Sequence, residues 1–353
     1  MMFTKFLKEV GRGKRGARDL SYEESLEAAN WILAQKATSA QTGAFLVAER
    51  IKMESVAELE AFVVACRNLA FRSPIQKGID CTGPYDGRTK SFFASFATAF
   101  LLAAAGLPVT LHGSATLPPK RGVTIHDILT TSGIDIEHMT KERSINIAKQ
   151  TGILYVPSEQ WCPPLAAIRS IREELDMRTI FNTVEKLIDY SHSPYLVFGV
   201  FHNTVFNRMS ELLHHLGYSK SLIVQGVEGS EDLFIDRPTR TYLVENGEAQ
   251  LKVIDPDLYG LETSLPDNIT WTAEAQLRTT EEILQGGGHI ALANQVLLNA
   301  ATRLSLTGHV NSIEQGIYTC KPLLENGAAW ELYSHWKNAM LDKKYEFEIT
   351  KTL

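Results

Sequence analysis

Residues 196–227 read LVFGVFHNTVFNRMSELLHHLGYSKSLIVQGV, and this stretch decides the fold class. Its two ends, residues 196–201 and 222–227, are short apolar runs that are typical of buried strands. Residues 205–216 between them have the apolar spacing of an amphipathic helix. A strand, a helix and a second strand in this order predict parallel strands joined by a crossover helix.

The same alternation extends outward along the chain. Residues 107–111 (LPVTL) and 153–156 (ILYV) are further strand candidates, and residues 92–105 have a helical pattern. Each strand candidate is followed by a loop of glycine, proline or polar residues. We therefore predict an α/β domain with a mostly parallel central sheet, in which ligands bind at the carboxyl ends of the strands.

The first 70 residues have a helical pattern instead. Ser21, Thr38 and Ser55 are each followed three residues later by Glu or Gln, which is the capping-box pattern of a helix start. Residues 41–52 place three apolar side chains on one helical face: Phe45, Ala48 and Ile51. We predict three or four short helices here, which serve packing or a subunit interface.

Composition limits the class of protein. The 353 residues are 44% hydrophobic with a formal net charge of −6, which favours a globular protein of more than one domain over a general nucleic-acid binder. The apolar stretches are too short to span a bilayer, and the N-terminus lacks the apolar core of a secretory signal. The scattered cysteines form no CxxC pair, which predicts a reducing, cytoplasmic location: Cys66, Cys81, Cys162 and Cys320.

Residues 5–18 form a basic run within this acidic chain. Against the single acid Glu9 it contains six cationic side chains: Lys5, Lys8, Arg12, Lys14, Arg15 and Arg18. One interpretation is a mobile basic arm that binds the phosphate backbone of a nucleic acid. The other is a frayed and solvated terminus without a partner.

Two loops could hold phosphate groups. Residues 81–87 (CTGPYDG) lead into a helix predicted to begin near Ser91, and glycines beside free helix amides suit a phosphate or a pyrophosphate. Residues 112–114 (HGS) follow a strand and lead on to Lys120 and Arg121, whose charges could hold a phosphate. Ordinary turns and a solvated basic surface loop are the alternatives.

Two charged segments complete the candidates. Glu231 and Asp232 lie in a glycine-containing loop after a strand, which suits Mg²⁺ but also suits a polar loop without metal. Arg172 and Arg178 lie on opposite sides of a helix unless the helix ends between them. Either arginine could bind a carboxylate; the alternative is an exposed arginine paired with one of the glutamates at 173 and 174.

Taken in order, these motifs resemble anthranilate phosphoribosyltransferases over nearly the whole chain. Residues 41–54 (QTGAFLVAERIKME) resemble that family's Q-x-G-A-F-L-x-A-x-R-x-K-x-E stretch, and residues 81–87 resemble its GTGGDG loop. Residues 111–116 with Lys120 resemble its KHGNRS segment, and residues 172–182 (REELDMRTIFN) resemble R-x-x-L-G-x-R-T-I-F-N. Residues 226–232 resemble its G-x-D-G-x-D-E metal loop with the acids in reversed order.

The resemblance implies a fold of the nucleoside phosphorylase and class II phosphoribosyltransferase type. A helical domain is expected over residues 1–72, joined by a helical segment near 165–192, and an α/β domain over residues 73–353. The ligand site would lie at their junction, and the helical domain would form a homodimer. The family moves phosphoribose from phosphoribosyl diphosphate to an aromatic amine with Mg²⁺, by positioning and charge stabilisation and without a covalent nucleophile.

The resemblance also implies roles for individual residues. Arg172 would hold an acidic acceptor, and Glu231 and Asp232 would hold Mg²⁺. No catalytic side chain is predicted. The phosphorylated sugar donor would be held by Thr82, Gly83, Asp86, Gly87, Ser95, His112, Gly113 and Lys120.

Departures from the family pattern are concentrated in the donor loops. Pro84 and Tyr85 stand where the family has glycines, and Phe93 stands where it has the asparagine of N-x-S-T. Pro84 has no amide to offer, so several hydrogen bonds to a diphosphate would be lost. This pattern resembles a divergent anthranilate phosphoribosyltransferase-like branch, with an acidic or aromatic acceptor other than anthranilate. The alternative is a non-enzymatic nucleic-acid or nucleotide binding protein on the same scaffold.

Overall fold

The computed structural model describes residues 3–13, 15–75, 77–267 and 269–342. Its strands are β1 (Ile79–Thr82), β2 (Val109–Gly113), β3 (Ile153–Pro157), β4 (Tyr195–Gly199), β5 (Lys220–Val224), β6 (Thr239–Glu245) and β7 (Glu248–Ile254). Its first eight helices are α1 (Thr4–Val10), α2 (Tyr22–Leu33), α3 (Ser39–Lys52), α4 (Val56–Leu69), α5 (Ala94–Ala104), α6 (Ile125–Thr131), α7 (Lys141–Thr151) and α8 (Ser158–Trp161). The remaining helices are α9 (Pro163–Ala167), α10 (Arg169–Leu175), α11 (Phe181–Val184), α12 (Phe206–His215), α13 (Ala273–Leu284), α14 (Ile290–Thr307), α15 (Ile313–Glu325) and α16 (Ala328–Leu341).

One seven-stranded sheet forms the centre of the molecule, in the order β3-β2-β1-β4-β5-β6-β7. The first five strands in that order are parallel, and β6 and β7 continue the sheet as an antiparallel hairpin. The prediction of a mostly parallel sheet is confirmed, as are the four strands that the apolar runs indicated. The sequence did not indicate β1, a four-residue strand with the polar Asp80 inside it, or the hairpin, whose strand β7 is largely exposed.

The order of the strands reverses beside β1. Chain order runs outward to β3 on one side, whereas β4 and β5 lie on the other side of β1. Thr82 at the end of β1 is level with Phe198 near the end of β4. A crevice outside the carboxyl ends of the strands at such a reversal is the usual ligand site of open α/β sheets. The loops after β1, β2, β4 and β5 therefore surround the place to examine.

Four helices, α1 to α4, precede the sheet, as predicted. All three predicted capping boxes are present, at the N-termini of α2, α3 and α4. The predicted apolar face of α3 is only partly buried: Phe45 lies in the core, but Ile51 is 69% exposed. Ile51 lines an open groove between α1, α3 and α10 instead of contacting the core.

The first part of the basic N-terminal run forms an ordered helix packed on the core. Residues 4–10 form helix α1, whose Phe6 and Val10 are buried in the helical core. Lys5 pairs with Glu27, and Arg18 pairs with Glu24 and Glu9. Burial of the apolar face of α1 holds residues 4–10 against the core, which the count of charges did not indicate. Lys14 lies outside the described residues.

Each face of the sheet packs against its own core. On one face, α5, α13, α14 and α16 cover the strands. On the other, residues of α2, α4, α9, α11 and α12 pack together against Leu196 and Phe198 of β4. The helical layer formed by α1 to α4 is thus joined to the sheet through the short helices between residues 163 and 184. Within the described residues, no helix is long and apolar enough to cross a membrane.

Candidate functional site

The acid pair after β5 is fully buried and faces two arginines. Asp232 Oδ2 lies 2.6 Å from Arg88 Nη2, and Asp232 Oδ1 lies 3.4 Å from Arg303 Nη2. Glu231 Oε1 lies 3.6 Å from the same Arg88 nitrogen. Asp232 Oδ2 also accepts a hydrogen bond of 3.1 Å from the amide of Ser95 at the start of α5. Two carboxylates and two guanidinium groups therefore form a neutral cluster beneath the loops.

Arg88 is fixed in this cluster by its surroundings. Its backbone exchanges two 2.9 Å hydrogen bonds with Val123, so the segment cannot move independently of the loop before α6. Its Nη1 donates to the carbonyl of Phe92 at 2.8 Å, and its guanidinium carbon lies 4.2 Å from the centre of the Phe93 ring. The side chain is fully buried.

These contacts decide whether the predicted metal ligands fit Mg²⁺. Mg²⁺ requires near-octahedral oxygen ligands at ~2.1 Å and normally keeps several waters. The oxygens of Asp232 already contact Arg88, Arg303 and the Ser95 amide, and Glu231 faces the Arg88 guanidinium instead of open space. The residues do not fit a magnesium ion in this arrangement. The described residues also contain no group of three or more His, Cys, Asp or Glu side chains placed to hold a metal.

The loop after β1 is filled by an aromatic ring. A Cβ atom added to Gly83 would lie only 2.6 Å from Cζ of Phe93, so the ring rests directly on the glycine. The cavity left between Gly83, Tyr85, Phe93 and His112 has a volume of about 10 Å³. Such a space holds about one water molecule. No room for a diphosphate remains at this loop in the conformation observed.

His112, at the end of β2, has partners on both ring nitrogens. Nδ1 lies 2.6 Å from the Tyr85 hydroxyl, and Nε2 lies 3.1 Å from Asp80 Oδ1. Thr82 Oγ1 is 3.5 Å from Nε2 and donates to the carbonyl of Lys186 at 3.2 Å. Burial raises the pKa of Tyr85 well above its usual value, so its phenol stays protonated. Thr82 and His112, both predicted to bind the phosphorylated sugar donor, thus lie together inside the fold.

Asp86 and Lys120 meet across the same crevice. Lys120 Nζ lies 3.2 Å from Asp86 Oδ1 and donates to the carbonyl of Glu228 at 3.4 Å. Burial lowers the pKa of the Lys120 ammonium. Gly87, which follows Asp86, has φ 73°. A Cβ atom there would lie 2.2 Å from the Gly122 carbonyl oxygen, so only glycine fits.

The residues that follow Arg88 form a group of hydrogen-bond donors, the amide cradle, which consists of the amides of Thr89 and Lys90 and the hydroxyls of Thr89 and Ser91. The carboxylate of Glu228 occupies it. Glu228 accepts hydrogen bonds from the amides of Thr89 and Lys90 and from the hydroxyls of Thr89 and Ser91, the shortest at 2.6 Å. Burial alone would raise the pKa of Glu228, but these donors lower it below its usual value. Glu228 itself has φ 53°, a left-handed backbone that is uncommon for this residue.

Of the remaining residues predicted to bind the sugar donor, Gly113 has an internal partner and the Ser95 hydroxyl has none among the described residues. Helix α5 begins at Ala94 and not near Ser91, and the amide of Phe93 before it donates to Gln276 Oε1 at 2.8 Å. The Ser95 hydroxyl is buried without a hydrogen-bond partner among the described residues. The carbonyl of Gly113 accepts a hydrogen bond from the Ser158 hydroxyl at 2.9 Å.

Arg172, predicted to hold an acceptor carboxylate, holds Glu185. Its two terminal nitrogens lie 2.6 Å and 3.1 Å from the two oxygens of Glu185, and both side chains are buried. Helix α10 ends between Arg172 and Arg178, at Leu175, and the capping residue Asp176 after it has φ 48°. For Arg172, the alternative of an exposed arginine paired with the glutamates at 173 or 174 is therefore wrong. Burial raises the pKa of Glu185.

Lys186 is a site residue that the sequence did not indicate. Its Nζ is buried at the end of β4, donates to the Gly199 carbonyl at 2.8 Å and lies 3.9 Å from the centre of the Phe198 ring. Burial lowers its pKa to about 7. Arg88, Glu185 and Glu228 were missed in the same way. All four lie beside a motif residue. The sequence feature that could have indicated them is a charged side chain that flanks a family motif or replaces part of it.

The helical segment and the loop after β2 are also joined. Arg169 of α10 donates to the Ser114 hydroxyl at 3.1 Å and to the Ala115 carbonyl at 2.8 Å. Asn182 Nδ2 donates to the Pro118 carbonyl at 3.2 Å. Arg121 pairs with Asp176 at 2.9 Å. These contacts hold the helical segment and the loop together over the crevice.

Comparison with known proteins identifies relatives along nearly the whole chain. The model of the glycosyl transferase family helical bundle domain matches residues 4–70, and that of the glycosyl transferase family a/b domain matches residues 79–330. The anthranilate phosphoribosyltransferase of Persephonella marina is 27% identical over 335 residues, which are 94% of this chain and 97% of the relative. An uncharacterized protein of Aquifex aeolicus is 28% identical over 311 residues, which are 88% of this chain and 95% of that protein.

Solved structures share the fold. The anthranilate phosphoribosyltransferase of Thermus thermophilus has a TM-score of 0.82 at 24% identity, covering 96% of this chain and 99% of the other. That of Saccharomyces cerevisiae in complex with PRPP and Mg has a TM-score of 0.80 at 18% identity, covering 96% and 97%. The predicted fold, a small helical domain followed by a larger α/β domain, is confirmed.

Proposed function

Because this chain belongs to the glycosyl transferase family built from a helical bundle domain and an a/b domain, we propose that it is a phosphoribosyltransferase-like enzyme. Its donor would be phosphoribosyl diphosphate or a similar phosphorylated sugar, and its acceptor would not be anthranilate. In this proposal it is a divergent member of the anthranilate phosphoribosyltransferase-like branch. Relatives named as anthranilate phosphoribosyltransferases along the whole length support the reaction class.

The ion pair of Arg172 with Glu185 carries the proposal about the acceptor. Both terminal nitrogens of the arginine are taken by an internal carboxylate, inside the protein. The carboxylate of anthranilate would have to displace Glu185 and leave it buried without its partner, which costs about 3–5 kcal/mol. Of the two predicted acceptor classes, an aromatic amine without a carboxylate therefore fits better than an acidic one.

The donor would bind at the carboxyl ends of β1, β2 and β4. The proposed contacts are those predicted from the sequence: Thr82, Gly83, Asp86, Gly87, Ser95, His112, Gly113 and Lys120. Lys120 supplies positive charge, the newly found Lys186 supplies N–H donors, and the Ser95 hydroxyl, without a partner among the described residues, is available to an oxygen of the ligand. The Phe93 ring must leave Gly83 before a diphosphate can approach the loop, so we expect weaker donor binding than the family's glycine-rich loop would give.

The helical domain is proposed to join two copies of the chain. A groove of about 1590 Å³ lies between α1, α3 and α10, and Ile51 and Met53 are exposed there. Exposed apolar side chains lining one groove favour a protein partner. We keep 1–72 and 73–353 as the proposed domain limits. The four buried cysteines, none in a disulfide, support the proposed cytoplasmic location.

A second candidate is a protein that binds a nucleotide or nucleic acid without transferring a sugar. The internal pairing of Arg172, Asp232 and Lys120 favours it, since these charged groups of the site are already engaged with one another or with neighbouring residues. Nucleic-acid binding through residues 5–18 stays a prediction. Its support is weaker, because Lys5 and Arg18 are paired with acids.

Calorimetric titration of phosphoribosyl diphosphate into the full chain, followed by assays of pyrophosphate release, separates the candidates. We expect donor binding that Lys120→Gln weakens and that Lys149→Gln, a change of an exposed lysine in α7, leaves unchanged. We expect pyrophosphate release with an aromatic amine that lacks a carboxylate, and none with anthranilate. Turnover of anthranilate would contradict the acceptor proposal. Absence of donor binding at millimolar concentration would contradict the transferase and leave the second candidate.

A further inference from the structure

We propose that the guanidinium of Arg88 is a built-in cation that takes the place of a divalent metal ion at Glu231 and Asp232. The protein would then assemble its acid pair and bind ligands without Mg²⁺. This inference rests on the geometry of the acid pair and does not depend on whether the chain transfers a sugar.

Glu231 and Asp232 are both fully buried, and a buried carboxylate without a counterion is strongly unfavourable. Arg88 lies 2.6 Å from Asp232 and 3.6 Å from Glu231, and Arg303 lies 3.4 Å from Asp232. The two positive charges neutralise the two negative charges. A Mg²⁺ ion added to this cluster would leave two uncompensated positive charges in the interior.

Arg88 is held in place from several sides. Its backbone is tied to Val123 by two hydrogen bonds, its Nη1 donates to the Phe92 carbonyl, and its guanidinium lies over the Phe93 ring. A rotation that opened the acid pair to a metal ion would break the ion pair, the hydrogen bond of Nη1 and the ring contact together. The side chain is therefore part of the folded interior.

The cluster joins two loops at the carboxyl end of the sheet. Asp232, in the loop after β5, contacts Arg88 in the loop after β1 and also accepts the Ser95 amide at the start of α5. A metal ion would join these two loops only while it is bound. Arg88 is covalently part of one loop and therefore joins them at all times. The counterion of the buried acid pair is thus part of the chain itself.

Removal of the Arg88 guanidinium would leave the Glu231 carboxylate without its counterion. Its two oxygens accept no hydrogen bond from the described residues, and its ion-pair partner is Arg88, at 3.6 Å. In Arg88→Gln, Glu231 would lose its ion-pair partner, and of the ion pairs made by the two acids within the described residues that of Asp232 with Arg303 would remain. Paired carboxylates with excess negative charge are the ligands that Mg²⁺ and Mn²⁺ bind. The variant should therefore gain a divalent metal site.

The test measures metal binding directly, with Mn²⁺ as the probe in electron paramagnetic resonance titrations of the full chain. The wild-type protein should bind no Mn²⁺ in the low-millimolar range, and its melting temperature should be the same in MgCl₂ and in NaCl of equal ionic strength. Arg88→Gln should bind one Mn²⁺ at least about tenfold more tightly than the wild type, which corresponds to ~1.4 kcal/mol. Adding Asp232→Asn to that variant should abolish the gained binding, and Arg88→Lys should not gain it.

Two results would overturn the proposal. One is a wild-type protein that binds a stoichiometric Mn²⁺ ion which Glu231→Gln removes. The other is a folded Arg88→Gln variant that gains no Mn²⁺ binding. If Arg88→Gln does not fold, the wild-type titration alone still decides, because binding of one ion there contradicts the proposal and its absence supports it. None of these measurements uses a sugar donor, so their failure is distinguishable from failure of the proposed transferase activity.

Discussion

Glu185 binds Arg172 through both carboxylate oxygens, at 2.6 Å and 3.1 Å, with both side chains buried. The arginine that the family resemblance assigns to a substrate carboxylate is thus satisfied by a carboxylate of the chain itself. The same relationship recurs around the crevice, where Glu228 fills the amide cradle and Arg88 neutralises Asp232. The charged groups of the site are thus paired with groups of the chain itself, and each pairing can be removed by a single substitution.

Replacing Glu185 with glutamine should leave the Arg172 guanidinium available to the carboxylate of a ligand. We expect Glu185→Gln to lower the free energy of unfolding by about 3 kcal/mol, because it leaves Arg172 buried and without its counterion. Anthranilate should then raise the melting temperature of the variant but not that of the wild type. Urea denaturation and thermal melts measure both effects. Glu173→Gln is the matched control: its partner Arg169 also pairs with Glu159, and Glu173 is partly exposed, so its loss should cost at most about 1 kcal/mol. Equal stability of the two variants would contradict this account.

Gly83 and Phe93 should be energetically coupled. In the wild type, Gly83→Ala should cost about 1–3 kcal/mol, because its Cβ would lie 2.6 Å from the Phe93 ring. In a Phe93→Ala background the same change should cost almost nothing, because the ring is gone. A double-mutant cycle from urea denaturation measures the coupling. Gly113→Ala is the control, since a Cβ there meets no atom within 4 Å. Additive effects of the two changes would show that Phe93 does not fill the loop.

Emptying the amide cradle should create an anion site. Glu228→Ala leaves the amides of Thr89 and Lys90 and the hydroxyl of Ser91 without their acceptor. Inorganic phosphate should then raise the melting temperature of the variant relative to chloride of equal ionic strength, with no such difference in the wild type. Ser91→Ala in the same background should reduce the phosphate effect. An equal phosphate response in wild type and variant would place the anion elsewhere.

Lys186 should make stability depend on pH. Its pKa is lowered to about 7 in the folded protein, whereas an unfolded lysine titrates near ~10.4. Between these values the unfolded state binds more protons, so the lysine's contribution to stability rises with pH across this window and is least favourable below pH 7. We therefore expect Lys186→Met to gain stability relative to the wild type most strongly near pH 6. That gain should shrink by up to a few kcal/mol by pH 10.

Urea denaturation at a series of pH values measures this difference. Lys149→Met, a change of an exposed lysine in α7, is the control and should give a nearly constant difference. A pH-independent difference for Lys186→Met would show that the amine titrates normally and is reached by solvent.

The secondary-structure elements that were predicted from the sequence are those with a clear local pattern, either an apolar run or a capping box. The apolar runs that became β2, β3, β4 and β5 and the capping boxes of α2, α3 and α4 were recognised because local chemistry determines them. β1 was missed because Asp80 and Thr82 make half of its four residues polar, and they are buried only by contacts with distant parts of the chain. The edge hairpin of β6 and β7 lacks a buried apolar face on β7.

The amino-acid sequence by itself determined the family, the α/β fold and the loops that surround the crevice, because spacing and composition are properties of short segments. The departures at Pro84, Tyr85 and Phe93 were also visible there. Only the tertiary structure decided that Arg88 pairs with Asp232 and that Arg172 pairs with Glu185. An ionic side chain pairs with whatever the fold brings within about 4 Å, and distance along the chain does not fix that partner. The physical state of this site, neutralised from within, is therefore a property of the fold.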